Sequence, residues 1–307
     1  MDKEKKVILL AGPTASGKSK LAIKLAEHLK GEIINADSMQ VYKEISILTS
    51  KPTSADTKKI KHHLYGFKSV KDKFSTGHWL DLVIKKIEQQ WANRKIPIIV
   101  GGTGLYFKAL TDGLVKIPEI PDNLRKETRK LHKKIGQKSF FNKLLKLDPL
   151  AKNFVLPSDT HRSMRVYEVK KFTNQSLFKL IKETKSNFEK SIFKKLFINI
   201  PREQLNKNIE KRVEIMFKNG AIDEVEKFLK IRVYKELSSN KIIGINEIKD
   251  YLRGKTTLTE AKELIVIKTR QYAKRQFTWS RGHMKSWKMV YSTNINDLYK
   301  KAINKIF

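Results

Sequence analysis

Val7-Ile8-Leu9-Leu10-Ala11 runs straight into Gly12-Pro13-Thr14-Ala15-Ser16-Gly17-Lys18-Ser19, and an amphipathic pattern follows. The apolar run reads as a buried strand. Leu21, Ile23, Leu25, Ala26 and Leu29 mark one face of a helix that reaches Lys30, with Gly31 as its stop. Between strand and helix lies G-x-x-x-x-G-K-S. Its glycines let backbone N–H groups turn inward around phosphate oxygens, Lys18 adds a point charge, and Ser19 offers a hydroxyl to Mg²⁺. The positive end of the helix faces the same anion. Gly12, Pro13, Thr14, Ala15, Ser16, Gly17, Lys18 and Ser19 are therefore the expected pyrophosphate-binding residues, with Ser19 the expected metal ligand. The bland alternative is a tight glycine-rich turn.

Working outward, Glu32-Ile33-Ile34-Asn35-Ala36 reads as a second strand, with Asp37-Ser38-Met39-Gln40 at its C-terminal edge. A helix is expected over 79–93. Ile96-Pro97-Ile98-Ile99-Val100 reads as a further strand and ends in Gly101-Gly102-Thr103-Gly104. Strands alternating with helices imply a parallel sheet with right-handed crossovers, whose ligands bind at the C-terminal edge. The fold class is α/β: a P-loop parallel sheet flanked by helices. The pattern breaks at Ile117-Pro118-Glu119-Ile120-Pro121, after which the chain is helical and very basic until Lys195–Ile200 returns as a strand. This gives a core of 1–121 and 191–307, the latter with amphipathic stretches over 202–230 and 259–280, and a basic helical insertion over 122–190.

The 307 residues carry 65 basic and 31 acidic side chains, a net charge of +34. Such an excess points to a polyanionic partner, nucleic acid above all. Lysine outnumbers arginine 53 to 12, a bias that AT-rich coding can produce without any binding role. The absence of cysteine excludes disulfides, thiol catalysis and thiolate zinc sites. The charged start, Asp2-Lys3-Glu4-Lys5-Lys6, does not resemble a signal peptide, and no apolar run is long enough for a membrane span. A cytoplasmic monomer with no obligate protein partner and no membrane contact is expected.

A phosphate loop usually implies hydrolysis of a nucleoside triphosphate, and such enzymes place an acid at the end of a buried strand near Mg²⁺. Here the 96–100 strand ends in glycines, and no Asn-Lys-x-Asp guanine-reading motif is present. The loop is expected to grip a pyrophosphate that water does not attack. Asp37 is then the carboxylate facing the loop, as general base or metal ligand, or else a turn residue capping a helix. The Thr103 hydroxyl either bonds a phosphate oxygen or finishes a turn.

These blocks, in this order, resemble the bacterial tRNA dimethylallyltransferase (isopentenyltransferase) family. The match comprises Gly12–Ser19, Asp37-Ser38-Met39-Gln40-Val41-Tyr42, His62-His63-Leu64, Val100–Tyr106, Asp159-x-x-Arg162-x-x-Arg165 and Thr269–Trp279, and it spans nearly the whole chain. The resemblance implies transfer of a dimethylallyl group from dimethylallyl pyrophosphate to the exocyclic amine of the adenosine 3′ of the anticodon, in tRNAs reading codons that begin with U. It implies Asp37, Thr103 and Arg212 as catalytic residues and Mg²⁺ as cofactor. On tRNA it places Asp37, Ser38, Met39, Gln40, Thr103, Arg125, His161, Arg162, Ser163, Met164 and Arg165. Gln271 and Arg275, with Gln276, recur on one helix, where the residues alone allow either RNA contact or internal packing. Taken alone, Arg212 reads as an exposed helix charge and Trp279 as core. Four places depart from the family pattern: Leu48 stands where glycine is usual, Lys61 stands before His62-His63 where proline is common, and Ile245 and Asn246 replace an aromatic and a cation. The rival expectations are prenyl transfer to free AMP, a P-loop nucleotide kinase, and a non-catalytic RNA-binding protein.

Overall fold

The computed structural model describes residues 5–307. One parallel sheet of six strands organises the core, in the order β3-β2-β4-β1-β5-β6. The strands are β1 (Val7–Ala11), β2 (Glu32–Asn35), β3 (His62–His63), β4 (Pro97–Gly101), β5 (Phe193–Ile198) and β6 (Lys288–Val290). β1 lies in the middle, with Leu10 opposite Val100 on one side and Leu196 on the other. All five of its residues are buried, which is why the run is continuously apolar rather than alternating. Ile8 and Leu10 point to one face and pack against Leu21, Leu25 and Ala26 of α1 (Lys18–Leu29) and Leu298, Ala302 and Ile306 of α12 (Ile295–Ile306). Toward the other end of the sheet, Trp79 of α3 (Thr76–Ala92) donates its indole N–H to Asn35 O at 2.8 Å and stacks on Tyr106 of α4 (Gly104–Asp112).

The two-residue β3 and the three-residue β6 carry no strand pattern of their own. Their neighbours' backbone hydrogen bonds place them, and β3 follows the short α2 (Ser54–Lys59). β5 begins two residues before the expected 195 and ends at 198, and α3 begins at Thr76 because Ser75 caps it. α1 ends through Lys30 at φ 53°, one residue before Gly31. Gly31 serves a different need, since a Cβ there would meet Ile96 O at 2.5 Å. The amphipathic stretch over 202–230 is two helices, α8 (Arg202–Lys218) and α9 (Ala221–Lys230), broken where Gly220 takes φ 91°. α10 (Ile245–Leu252) and α11 (Leu258–His283) follow, and the four share a cluster of Val213, Met216, Val225, Phe228, Ile248 and Ile265.

Two compact units divide the chain: one runs to Thr111 and resumes over Phe188–Phe307, and the other is Asp112–Asn187. The second unit, where the sequence pattern suggested 122–190, contains α5 (Asp122–Leu147), α6 (Thr160–Thr173) and α7 (Leu177–Glu183) around Phe140, Leu144, Val166, Tyr167 and Phe178. α5 is interrupted at Gly136, which takes φ 74°. Among the described residues, no helix is long and apolar enough to cross a membrane.

Candidate active site

The glycine loop leaves the C-terminal end of β1. Gly17, at φ 85°, sits at the N-cap of α1, and no side chain satisfies the N–H groups of that helix end. These groups are the natural seat of an anion. Lys18 folds back over the loop and donates to Pro13 O at 3.1 Å. Ser16 Oγ is buried without a hydrogen-bond partner, an unmet polar atom inside the loop. Ser19 lies exposed on the first helical turn and borders a small polar cleft with Gln40, Lys51, Asp56 and His62.

A second arm reaches the loop from β2. Asn35 is fully buried, and its amide donates to Asp37 O at 2.9 Å and to Leu64 O at 3.0 Å while accepting from Asp37 N at 2.8 Å. These bonds fix the backbone at Asp37. Asp37 Oδ1 then accepts from Met39 N at 2.9 Å, so the carboxylate closes a local turn with one oxygen. No helix starts here, so the helix-cap alternative for Asp37 does not apply. Ser38 N donates to Thr103 Oγ1 at 3.0 Å and Thr103 N to Ala36 O at 3.1 Å, which ties the ends of β2 and β4 together. Gln40 is spent internally, on Thr49 O at 2.8 Å and Ser50 O at 3.0 Å.

The glycines after β4 follow from crowding. A Cβ at Gly101 would lie 2.0 Å from Ala36 O, at Gly102 2.1 Å from Gln276 Nε2, and at Gly104 2.2 Å from the Trp279 ring. No acidic side chain fits at the end of this strand.

Arg212 corrects its reading as an exposed helix charge. From α8 it donates to Thr14 Oγ1 at 3.0 Å and reaches Leu48 O at 3.5 Å, half-buried beside the loop. Burial pushes its pKa down and Asp37 opposes that shift. Lys18 behaves alike: burial lowers it to about 8, Asp37 pulls upward and Arg212 downward. Burial raises Tyr65, Tyr106 and Tyr272, and in each the Asp37 carboxylate is the second cause. Asp37 is thus the negative charge shared by the loop lysine, the α8 arginine and three phenols, of which Tyr106 is buried and Tyr65 and Tyr272 are half-buried.

Beside the loop opens a cavity of about 240 Å³, lined by Gly12, Thr103, Phe107, Phe197, Tyr272 and Trp279 among others. Trp279, expected in the core, is half-buried instead and walls this cavity, stacked on His283. The α11 residues separate by face: Gln271 is exposed, Arg275 is exposed with its guanidinium over the Tyr272 ring, and Gln276 turns inward to Thr14 N and Gly102 O. Leu48, which departs from the family pattern, sits in a turn that its neighbours hold. Its N–H, with those of Ser46 and Ile47, is held by the Glu224 carboxylate, and its side chain lies against Gly244. Ile245 is core and Asn246 is exposed. Asn35, Glu224, Asn208 and Tyr272 escaped sequence reasoning. Only the motif position of Tyr272, between Gln271 and Arg275, offered a signal.

In the second unit, Asp159 caps α6 by accepting from Arg162 N at 2.9 Å. His161 and Arg162 are exposed, while Arg125 and Arg165 are half-buried. Ser163 is fully buried and its Oγ accepts from Gln137 at 3.2 Å, while Met164 packs against the apolar cluster. Glu168 is buried near Arg165, Arg125 and Arg129, and burial raises its pKa.

A family model described as IPP transferase matches residues 40–283. The tRNA dimethylallyltransferase of Pelagibacter ubique (strain HTCC1062) is 56% identical over 301 residues, 98% of this chain and 96% of that protein. The tRNA dimethylallyltransferase of Rickettsia massiliae (strain Mtu5) is 44% identical over 306 residues, 99% of this chain and 84% of that protein. Among solved structures, a eukaryotic dimethylallyltransferase acting on tRNA superposes with a TM-score of 0.83 at 28% identity, covering 97% of this chain and 78% of that one. The full-length tRNA isopentenylpyrophosphate transferase from Bacillus halodurans gives 0.69 at 29%, covering 98% and 97%. A match over most of the length, with a relative at that identity, settles the family: the chain belongs to the IPP transferases.

Proposed function

We propose that this protein transfers a dimethylallyl group from dimethylallyl pyrophosphate to the exocyclic amine of the adenosine 3′ of the anticodon in tRNAs reading U-starting codons. One observation carries the reading of the site. Asp37 couples electrostatically to both Lys18 and Arg212, Arg212 bonds Thr14 of the glycine loop, and a largely apolar cavity lined by Gly12 and Thr103 opens beside that loop. The relatives named tRNA dimethylallyltransferase carry the assignment to tRNA.

The chemistry follows from these groups. The adenine amine is a poor nucleophile because its lone pair is delocalised into the ring. Asp37 accepts its proton as the new C–N bond forms, using the oxygen not spent on Met39. The allylic C–O bond breaks and its electron pair leaves with the pyrophosphate. Loop amides, Lys18 and Arg212 stabilise the charge that grows there, and the Thr103 hydroxyl bonds the leaving oxygen. The apolar cavity wall shields the five-carbon chain from water. Ser19, exposed on the first turn of α1, would hold Mg²⁺ through its hydroxyl. When bound it neutralises charge on the pyrophosphate. Among the described residues no cluster of three or more His, Asp or Glu could hold a metal ion.

The adenosine has to leave the loop stack to reach Asp37, which single-stranded anticodon loops permit. Asp37–Gln40 then surround the base, with Gln40 acting through its hold on the Thr49–Ser50 turn. His161, Arg162, Arg125 and Arg165 of the helical insertion, and Gln271 and Arg275 of α11, contact the RNA. Ser163 and Met164 support that surface from within. The test is incubation with dimethylallyl pyrophosphate and either unmodified tRNA or AMP. A mass gain on a tRNA adenosine alone supports the reading, whereas prenylated AMP, or ATP consumption without prenylation, refutes it.

A further inference from the structure

Ala15 stands in the phosphate loop at φ 61°. An L-residue other than glycine enters that left-handed region at a population cost of roughly five- to thirtyfold. Something has to hold it there. Asn208 of α8 donates its amide N–H to Ala15 O at 3.0 Å, across 193 residues of sequence. The Asn208 oxygen accepts from Gln204 Nε2 at 2.9 Å, one turn earlier on the same helix, which fixes the side of the amide that faces the loop. A second grip comes from α11: Gln276 Oε1 accepts from Thr14 N at 2.9 Å while its Nε2 donates to Gly102 O at 3.0 Å. Both side chains are half-buried, and the lack of a Cβ at Gly102, just after β4, leaves room for Gln276.

The two grips differ in kind. Asn208 binds a carbonyl, a backbone group that repels an anion, and so keeps Ala15 O engaged in a bond of its own. Gln276 fixes the distance between the loop and the Gly102-Thr103 segment. Neither residue belongs to the groups assigned above to reacting atoms.

We propose that Asn208 and Gln276 are positioning residues that hold the Thr14–Ala15 segment in its diphosphate-receiving shape before the ligand arrives. The proposal rests on the reading that this loop receives a diphosphate. Preorganisation of this kind places the cost of ordering the loop in folding instead of in binding.

The experiment is calorimetric titration of the full chain with inorganic pyrophosphate and Mg²⁺. Asn208→Ala is expected to weaken binding about five- to thirtyfold, the population that Ala15 loses when nothing holds its left-handed backbone. Asn208→Leu, which keeps the shape and removes the donor, should do the same. Adding Ala15→Gly to either variant should recover most of the loss, because glycine takes that φ without help. Gln276→Ala should also weaken binding, but Ala15→Gly should not repair it, since Gln276 grips Thr14 N–H. Simple destabilisation of α8 would not be relieved by a loop glycine. The proposal is overturned if both Asn208 variants bind within twofold of the parent, or if Ala15→Gly leaves their loss unrelieved. A parent protein that does not bind pyrophosphate overturns this proposal and the functional reading together, whereas parental binding with unaffected variants overturns this proposal alone.

Discussion

Lys18 offers the sharpest physical test of the phosphate site. Burial holds its ammonium at about 8 in the free protein, against 10.5 in water, with Asp37 opposing and Arg212 reinforcing the shift. A diphosphate on the loop adds negative charge beside it and raises that value again. The bound state therefore holds a proton that the free state loses above pH 8, and affinity must fall as pH rises. With a free value of about 8, the protonated fraction drops from about 0.9 at pH 7 to about 0.1 at pH 9, which predicts roughly tenfold weaker binding. Phosphate groups release their own last proton near pH 6, below this window. For stability the sign is opposite: the unfolded chain keeps the lysine proton longer, so this residue's contribution grows between about 8 and 10.5. The assay is calorimetry of dimethylallyl pyrophosphate, without tRNA, in buffers of different ionisation enthalpy. About 0.9 proton should be taken up at pH 9, and Lys18→Arg, charged throughout, should show a flat profile. Unchanged affinity between pH 7 and 9, or no proton uptake, would refute the argument.

Other outcomes follow from the same geometry. Asp37→Ala should lower single-turnover transfer by about 10² to 10⁴, the range of a general base, while tRNA affinity stays within a few fold; equal collapse of binding would make Asp37 a structural residue. Gly101→Ala places a Cβ 2.0 Å from Ala36 O and 2.2 Å from Ala36 C, both backbone atoms, so β2 and β4 must part. Denaturation should show a loss of about 3 kcal/mol or more, and a variant as stable as the parent would contradict the close approach. Affinity for tRNA should fall about a thousandfold or more between roughly 50 and 200 mM salt, as six or more phosphate contacts require. A flat dependence would assign the lysine surplus to coding bias.

Much of the architecture was legible because local pattern and global burial agree. β1, the loop and α1 follow from one apolar run, one glycine motif and one amphipathic face. β3 and β6 were not legible: His62–His63 and Lys288–Val290 have no strand period, and pairing with β2 and β5 alone makes them strands. The break at Gly220 was hidden because hydrophobic residues continue on both sides of it. In the site, the loop and the edge position of Asp37 could be read from strand ends. Arg212 could not, since its neighbours on α8 present an ordinary charged face and only the packing of that helix brings it to Thr14. Gln276 was ambiguous for the same reason, because a glutamine on a helix shows its direction only when its partners are known. The glycines after β4 marked the missing acid correctly, but their cause, contact with Ala36, Gln276 and Trp279, is a long-range fact.

The central claim is that Asp37 and the Gly12–Ser19 loop serve one reaction. A crystal structure with an unreactive sulfur analogue of dimethylallyl pyrophosphate and an anticodon stem-loop tests it directly. The account predicts diphosphate on the loop amides, the flipped adenine amine within hydrogen-bond reach of Asp37, and the allylic carbon between them. A carboxylate turned away from the adenine, or a diphosphate seated elsewhere, would contradict it.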